Sequence, residues 1–357
     1  MVGCRMVGCR MKTRFAKEWQ AFFAVILFLL LMMLMMLMMM LPGCGESHSP
    51  NRENPDREAL LPADAVKQLP ETDHYPPILH VAGYSRPIPL PHPANTAGAE
   101  DSPFILPDGR TLYLFFTPDV RQPAEKQVAD GVTGLYVTRR IEGDDDDGQP
   151  IWSTPERVWL QKPGKLSMDG AVCIQDEEMW FASVREGFTG ANMFIAKWSG
   201  DRWAGWKYVG NRLMKEIGIG EVHIHGDMLY FHSDRAGGMG GYDLWTTTRS
   251  TRGGGTTWSD PVLVEGVNSA DNDSHPYVSL DGNELWFTRT YLGTPAIFRS
   301  IRQDGSTWST PELVVSQFAG EPTLDREGNL YFVHHYYQEG MMLEADIYVA
   351  YREYRSP

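Results

Sequence analysis

The chain has 357 residues, of which 42% are hydrophobic and 11% aromatic, with 35 Gly, 24 Pro and a formal net charge of -14. This is the composition of a globular, turn-rich protein with enough apolar material for a core, and it excludes a disordered chain. The acidic balance and the lack of any stripe of clustered Lys and Arg exclude nucleic-acid binding, which needs cations set against phosphate.

The first element is a membrane-targeting leader over residues 1–43. Lys12, Arg14 and Lys17 precede an uninterrupted apolar run from Ala21 to Leu41, long enough at about 1.5 Å per residue to cross the hydrocarbon of a bilayer. Immediately after it, "LPGCG" places Leu41, Gly43 and Cys44 in a pattern that resembles a bacterial lipoprotein signal, in which the chain is cut before the cysteine and the cysteine is lipidated. Pro42 stands where that signal usually has a small residue, and the apolar run is long for a signal peptide, so retention as an uncleaved anchor helix is the alternative fate. Under either fate the rest of the chain is expected to be extracytoplasmic and membrane-anchored, periplasmic or on the cell surface, because basic residues ahead of a span stay in the cytoplasm. Of the four cysteines, Cys4, Cys9 and Cys44 belong to this region and Cys173 stands alone. Its solitude leaves no intrachain disulfide and no paired-cysteine metal site. Residues 44–77, with scattered charges and repeated Pro, read as a flexible linker.

From residue 78 onward the chain reads as repeats. "DGRTLYLFFTPD" (108–119), "QDEEMWFASVRE" (175–186), "HGDMLYFHSDRAGGMGGYDLW" (225–245), "DGNELWFTRTYLGTPAIFR" (281–299) and "REGNLYFVHHYY" (326–337) each join a polar turn to an alternating, aromatic-rich strand, the signature of a hairpin. A shorter strand precedes each turn and a third follows, with no helix between them. A fourth strand is marked by Trp-Ser-x-Pro at Trp152–Pro155, Trp258–Pro261 and Trp308–Pro311, and in eroded form by "WAGWKYV" at 203–209. The fifth unit lacks one. "HVAGYSRPIPL" at 80–90 carries Tyr84, Ser85 and Pro87 in the same order and is expected to supply it, so that strands from the two ends of the chain close a ring.

The predicted fold is therefore all-β: a five-bladed β-propeller of four-stranded antiparallel blades, spanning about 100–160, 167–210, 216–266, 271–316 and 318–354 plus 78–91. Leu112, Tyr113, Trp180, Tyr230, Trp286, Phe287 and Phe332 are its expected core. The segments "SDRAGGMGGYDLW" and "DNDSHPYVSLDGNELWFT", with the Trp-Ser-x-Pro elements, resemble the WD40-like propeller repeats of the TolB type, common in bacterial envelope proteins. The resemblance covers about residues 100–350 and implies a propeller; on activity it is silent, since this fold carries binding scaffolds and enzymes alike.

Function is expected where the innermost strands begin. There the residue before Pro, or its equivalent, is Ser102, Asp169, Glu221, His275 and Glu321, one polar group per blade, with Asp101 and Asp273 adjacent. These five are the predicted binding residues, set against the plainer role of capping strands and bonding neighbouring blades. The partner expected is an envelope protein or a polysaccharide, with contact to the membrane through the lipid anchor or N-terminal helix. The rival reading is a glycoside hydrolase using Asp101 or Asp169 with Glu221 and Glu321, one carboxylate activating water and another protonating the leaving oxygen. His223 and His225 share one strand face with Glu221, and His232, His275 or His334 could complete a zinc site, but packed histidines are the expected role and no metal or cofactor is assigned. "GDDDD" at 143–147 reads as a solvated loop, and the glycines of "SDRAGGMGGYD" form a hairpin without a phosphate-binding pattern or a following helix.

Overall fold

The computed structural model describes residues 53–144, 148–215, 221–251 and 255–353. The leader, its apolar run and Cys44 lie outside them, and among the described residues no helix is long and apolar enough to cross a membrane. Strand pairing follows the hairpin reading. The innermost strands are Ala99–Ile105, Ser167–Gln175, His223–His225, Asp273–Val278 and Ala319–Leu324. Each pairs antiparallel with the strand after it, and that strand with a third. Outer strands follow at Glu156–Arg157, Trp203–Tyr208, Val262–Leu263 and Glu312–Ser316. We number these sheets as blades one to five.

The serine of Trp-Ser-x-Pro explains the motif physically. Ser153 Oγ accepts the backbone N–H of Arg139 (3.0 Å), Ser259 Oγ that of Thr248 (3.0 Å) and Ser309 Oγ that of Ile301 (2.9 Å). In each case the serine N–H returns a bond to the same residue's carbonyl. One hydroxyl thus satisfies a strand donor at the point where the following proline ends regular pairing. Ser85 repeats the arrangement at the other end of the chain: its Oγ accepts Tyr351 N–H at 2.9 Å and its own N–H bonds Tyr351 O at 2.8 Å. Ile88–Pro89 then pairs with Val349 and Tyr348, so the N-terminal segment is the outer strand of blade five.

Closure shows equally at the blade junctions. An aromatic residue of one blade's second strand meets the outer-strand aromatic of the next: Tyr113 accepts the Trp203 indole N–H at 3.0 Å, Trp180 meets Trp258 edge-on at 5.7 Å, and Trp286 meets Tyr84 at 6.2 Å. Tyr230 with Trp308, and Tyr331 with Trp152, share the remaining two clusters. These contacts join each group of strands to the next, and the last-numbered to the first. All seven residues expected in the core are buried, and each large ring contributes about 4 to 6 kcal/mol by area.

Two boundaries differ from the sequence reading. Residues 78–79 pair with Val315 and Ser316, adding a strand to the edge of blade four; blade five receives only the later part of 78–91. The linker reading fails from residue 53 onward, because its polar side chains are matched to partners far along the chain. Arg57 meets Glu100 at 2.9 Å, Lys67 meets Glu344 and Asp346 at 2.6 and 2.5 Å, and Asp73 meets the buried His334 at 2.8 Å. Short helical turns also occur in loops, at Ala124–Gln127 and Asn211–Met214.

Candidate functional site

The innermost strands do not run straight. Their pairing slips between Asp101 and Phe104, Gly170 and Val172, Ser274 and Tyr277, and Gly320 and Thr323. At the slip sits a residue with positive φ: Ser102 at 48°, Ala171 at 49°, His275 at 49° and Glu321 at 57°. A bulge of this kind turns one side chain out of the sheet, and holding a non-glycine residue there costs about 1–2 kcal/mol. Four blades repeat the same strained position, which is the pattern of strain kept for a purpose.

The bulges bring together Asp101, Ser102, Glu221, His275 and Glu321. Glu321 lies beside both Asp101 and Glu221, close enough for each to act on its titration, and Ser102 acts on Glu221 in the same way. His275 Nε2 lies 3.8 Å from Glu321 Oε1, while its Nδ1 is held at 2.8 Å by Ser274 Oγ. Thr288 Oγ1 accepts the Glu321 N–H at 2.8 Å and fixes the bulge. His335, which the sequence reading did not include, places Nε2 3.7 Å from Asp101 Oδ2. The signal for it was in the strand: His334 faces Asp73, so the alternation of side chains puts His335 on the opposite face.

The electrostatics divide the cluster. Burial pushes Glu221 up to about 7, and burial together with the charges of Asp101 and Glu221 pushes Glu321 well above the carboxylate range. Burial acts on Asp101 in the same sense, but the hydrogen bond and charge of His335 and the Ser102 N–H outweigh it and hold this carboxyl at about 2. Burial lowers His275 to about 4, leaving a neutral imidazole. No lysine or arginine forms an ion pair with Asp101, Glu221 or Glu321 among the described residues. With Glu321 14%, Asp101 26% and His275 27% exposed, the group is open to a solute. Its chemical capacity is to hold a cation: ligand atoms of Glu221, His275 and Glu321 lie within 4.8 Å of one another, an oxygen, oxygen and nitrogen donor set.

Asp169 is not in this group. The bulged residue of blade two is Ala171, and Asp169 sits two residues earlier, opposite Ser183. There it bonds Arg185 at 2.5 Å and Ser183 Oγ at 2.5 Å, with both ionic side chains buried. Its counterparts are Glu100 and Asp273, each also paired with a buried or nearly buried arginine. Blade two has no proline to mark its bulge, so the sequence alignment fell two residues short. His223 and His225 also lie apart from the donor set. His223 packs on Tyr277 at 4.6 Å between ring centres, and its Nδ1 is 3.6 Å from Cys173 Sγ. Asp145–Asp147 of the acidic run lie outside the described residues; Asp144 pairs with Arg140 at 3.2 Å. In the glycine-rich loop, Asp243 accepts the N–H groups of Met239 and Gly240. A Cβ on Gly240 would stand 2.2 Å from the Asp271 carbonyl oxygen, so glycine is required there.

No protein-family model and no curated protein matches the sequence. Among solved structures, the chain is similar to TolB from Acinetobacter baumannii, with 13% identity, 72% of this chain and 56% of that chain covered, and a TM-score of 0.38. It thus spans little more than half of TolB's length. It is also similar to an α-L-arabinofuranosidase from Podospora anserina, solved with cellotriose (12% identity, 76% and 96% covered, TM-score 0.41). A third is a GH43B protein of a Bacteroides ovatus xyloglucan locus (15% identity, 73% and 54% covered, TM-score 0.43). The fold assignment rests on the strand pairing above and not on these scores.

Proposed function

We propose that this chain is a binding module of the bacterial cell envelope. In this reading residues 1–43 direct export, and Cys44 carries a lipid or the leader stays as an anchoring helix. The propeller captures an envelope protein or polysaccharide by a positively charged group that enters the axial cluster. The observation that carries the reading is that Asp101, Glu221 and Glu321 converge with no lysine or arginine paired to them among the described residues and only His335 beside Asp101, so that the two glutamates hold a proton where a cation could stand. An incoming ammonium, guanidinium or metal ion replaces that proton and relieves the repulsion. The test is capture of envelope components by the full chain and by Glu221→Gln/Glu321→Gln. The expected partner is held by the natural protein, released by added salt and lost from the variant. Capture of the same partner by both proteins, insensitive to salt, would overturn the proposal.

A glycan-cleaving activity has one observation in its favour, the separation of Asp101 at about 2 from Glu221 at about 7, which is how an acid and a base are set apart in one site. Against it, Glu321 stands close to both carboxyls, whereas inverting hydrolases keep theirs about 6.5–9.5 Å apart to admit water and sugar. Release of reducing ends from an envelope glycan, abolished in Glu221→Gln with binding retained, would establish the hydrolase instead.

A further inference from the structure

The innermost strands end at a second opening, several residues beyond the bulges. A cavity of about 580 Å³ lies there, within the size range of small-molecule sites. Its wall is built from rings contributed by successive blades: Phe104 and Tyr113, Trp198 and Trp203, His223, and Tyr277. Two of these rings have their polar ends already satisfied within the protein. Trp203 donates to Tyr113 Oη at 3.0 Å, and Tyr277 Oη donates to the Leu324 carbonyl at 2.7 Å. The rings meet at steep angles, 66° between Trp198 and Trp203 and 60° between Phe104 and Tyr277. Such a wall suits a puckered ring with C–H groups on both faces better than a flat one that stacks in parallel.

The rim carries the charge. Arg326 is exposed and forms no ion pair among the described residues, and Arg139 has only an exposed Glu156 at 3.7 Å, a contact of little strength in water. Both line the cavity. Of the two rim carboxylates, Asp108 is engaged by the N–H groups of Arg110 and Thr111 and by the Thr111 hydroxyl, and Asp176 stands at an exposed turn. Two guanidinium groups in an otherwise acidic chain are therefore left facing this opening, and a planar carboxylate is the group a guanidinium fork binds best.

We propose that this cavity is a second ligand site, distinct from the axial acids, and that it takes a pyranose sugar bearing a carboxylate, with the sugar ring against the aromatic wall and the acid at Arg139 and Arg326. The probe is a glucuronic acid-containing disaccharide, titrated into the full chain by calorimetry with tryptophan emission recorded in parallel, beside its neutral counterpart and benzoate. The expected result is saturable binding of the acidic disaccharide with a change in emission. The neutral sugar should bind about tenfold more weakly, and Arg326→Ala should weaken the acidic one about tenfold. Arg326 is at the surface, so the variant keeps its fold; the same substitution at Arg139 is the second check. Absence of saturable binding in the millimolar range, equal affinity for the neutral sugar, affinity untouched by both arginine variants, or preference for benzoate would each overturn the proposal. Because the probe is an anion and the axial cluster is itself acidic, this result and that of the capture experiment fail or succeed separately.

Discussion

The protein buries two kinds of carboxylate, and they differ in what faces them. Two residues before the bulges of the innermost strands, Glu100, Asp169 and Asp273 each meet an arginine, and that arginine lies over aromatic rings of the acid's blade: Arg57 over Phe116, Arg185 over Phe194 and Trp206, Arg289 over Phe298. Glu344 and Asp346 share Lys67. At the axis Asp101, Glu221 and Glu321 meet one another, two imidazoles and solvent. The first arrangement is complete in the folded chain and serves stability; the second is completed only by a proton or by something from outside. The comparison teaches that a buried acid is a functional candidate when its charge is left uncompensated, and that burial or position in a repeat is insufficient by itself. Asp169 had the position and lacked the chemistry.

The sharpest way to break this comparison is Arg185→Ala. It leaves Asp169 in a closed interior with hydroxyl partners but no cation and removes the guanidinium from Phe181, Phe194 and Trp206, so a loss of about 3–5 kcal/mol is expected in denaturant unfolding. A loss below about 1 kcal/mol would show that the arginine-paired acids are not the stabilising class. Next, Lys67→Ala leaves Glu344 and Asp346 facing each other and detaches the N-terminal strap, with an expected cost of about 1.5–3 kcal/mol. Proteolysis within residues 53–77 should accelerate with it.

The axial glutamates should respond to substitution in the opposite direction. Glu221 and Glu321 titrate higher in the folded chain than in the unfolded one. Their contribution is therefore full below the unfolded value near 4.5 and is lost as pH rises through the folded value, about 7 for Glu221. Glu321→Gln removes the penalty of ionisation. Relative to the natural protein it should gain about 1–3 kcal/mol in stability above neutral pH and little below pH 5, read from melting curves across pH. A loss at alkaline pH would place Glu321 with the compensated acids. The smallest expected effect is Ser85→Ala, about 1 kcal/mol for one strand-closing hydrogen bond, matched by Ser309→Ala in blade four if the two serines are equivalent.

Much of the fold was legible because its devices repeat. Ser85 could be assigned to blade five from Trp-Ser-x-Pro alone, since the hydroxyl performs the same bond in each blade. The bulges at Ser102, His275 and Glu321 were marked by the proline that follows each. Ala171 was not, and there the register was lost. The strap was illegible for a different reason. Arg57, Lys67 and Asp73 look like linker residues because the groups that hold them, Glu100, Glu344, Asp346 and His334, are 43 to 279 positions away, and no local pattern announces such pairs. The axial cluster was half legible: the carboxylates could be named, but their lack of cations and the arrival of His335 depend on how five blades meet.

The central claim is that Glu321 stays protonated at neutral pH because it lies between two carboxyls with no basic partner. A carbon-13 NMR titration of its carboxyl carbon in the intact propeller tests this directly. The account predicts that Glu321 remains in the acid form at pH 7 while Asp101 is ionised throughout, and a titration of Glu321 near the ordinary carboxylate value would contradict it.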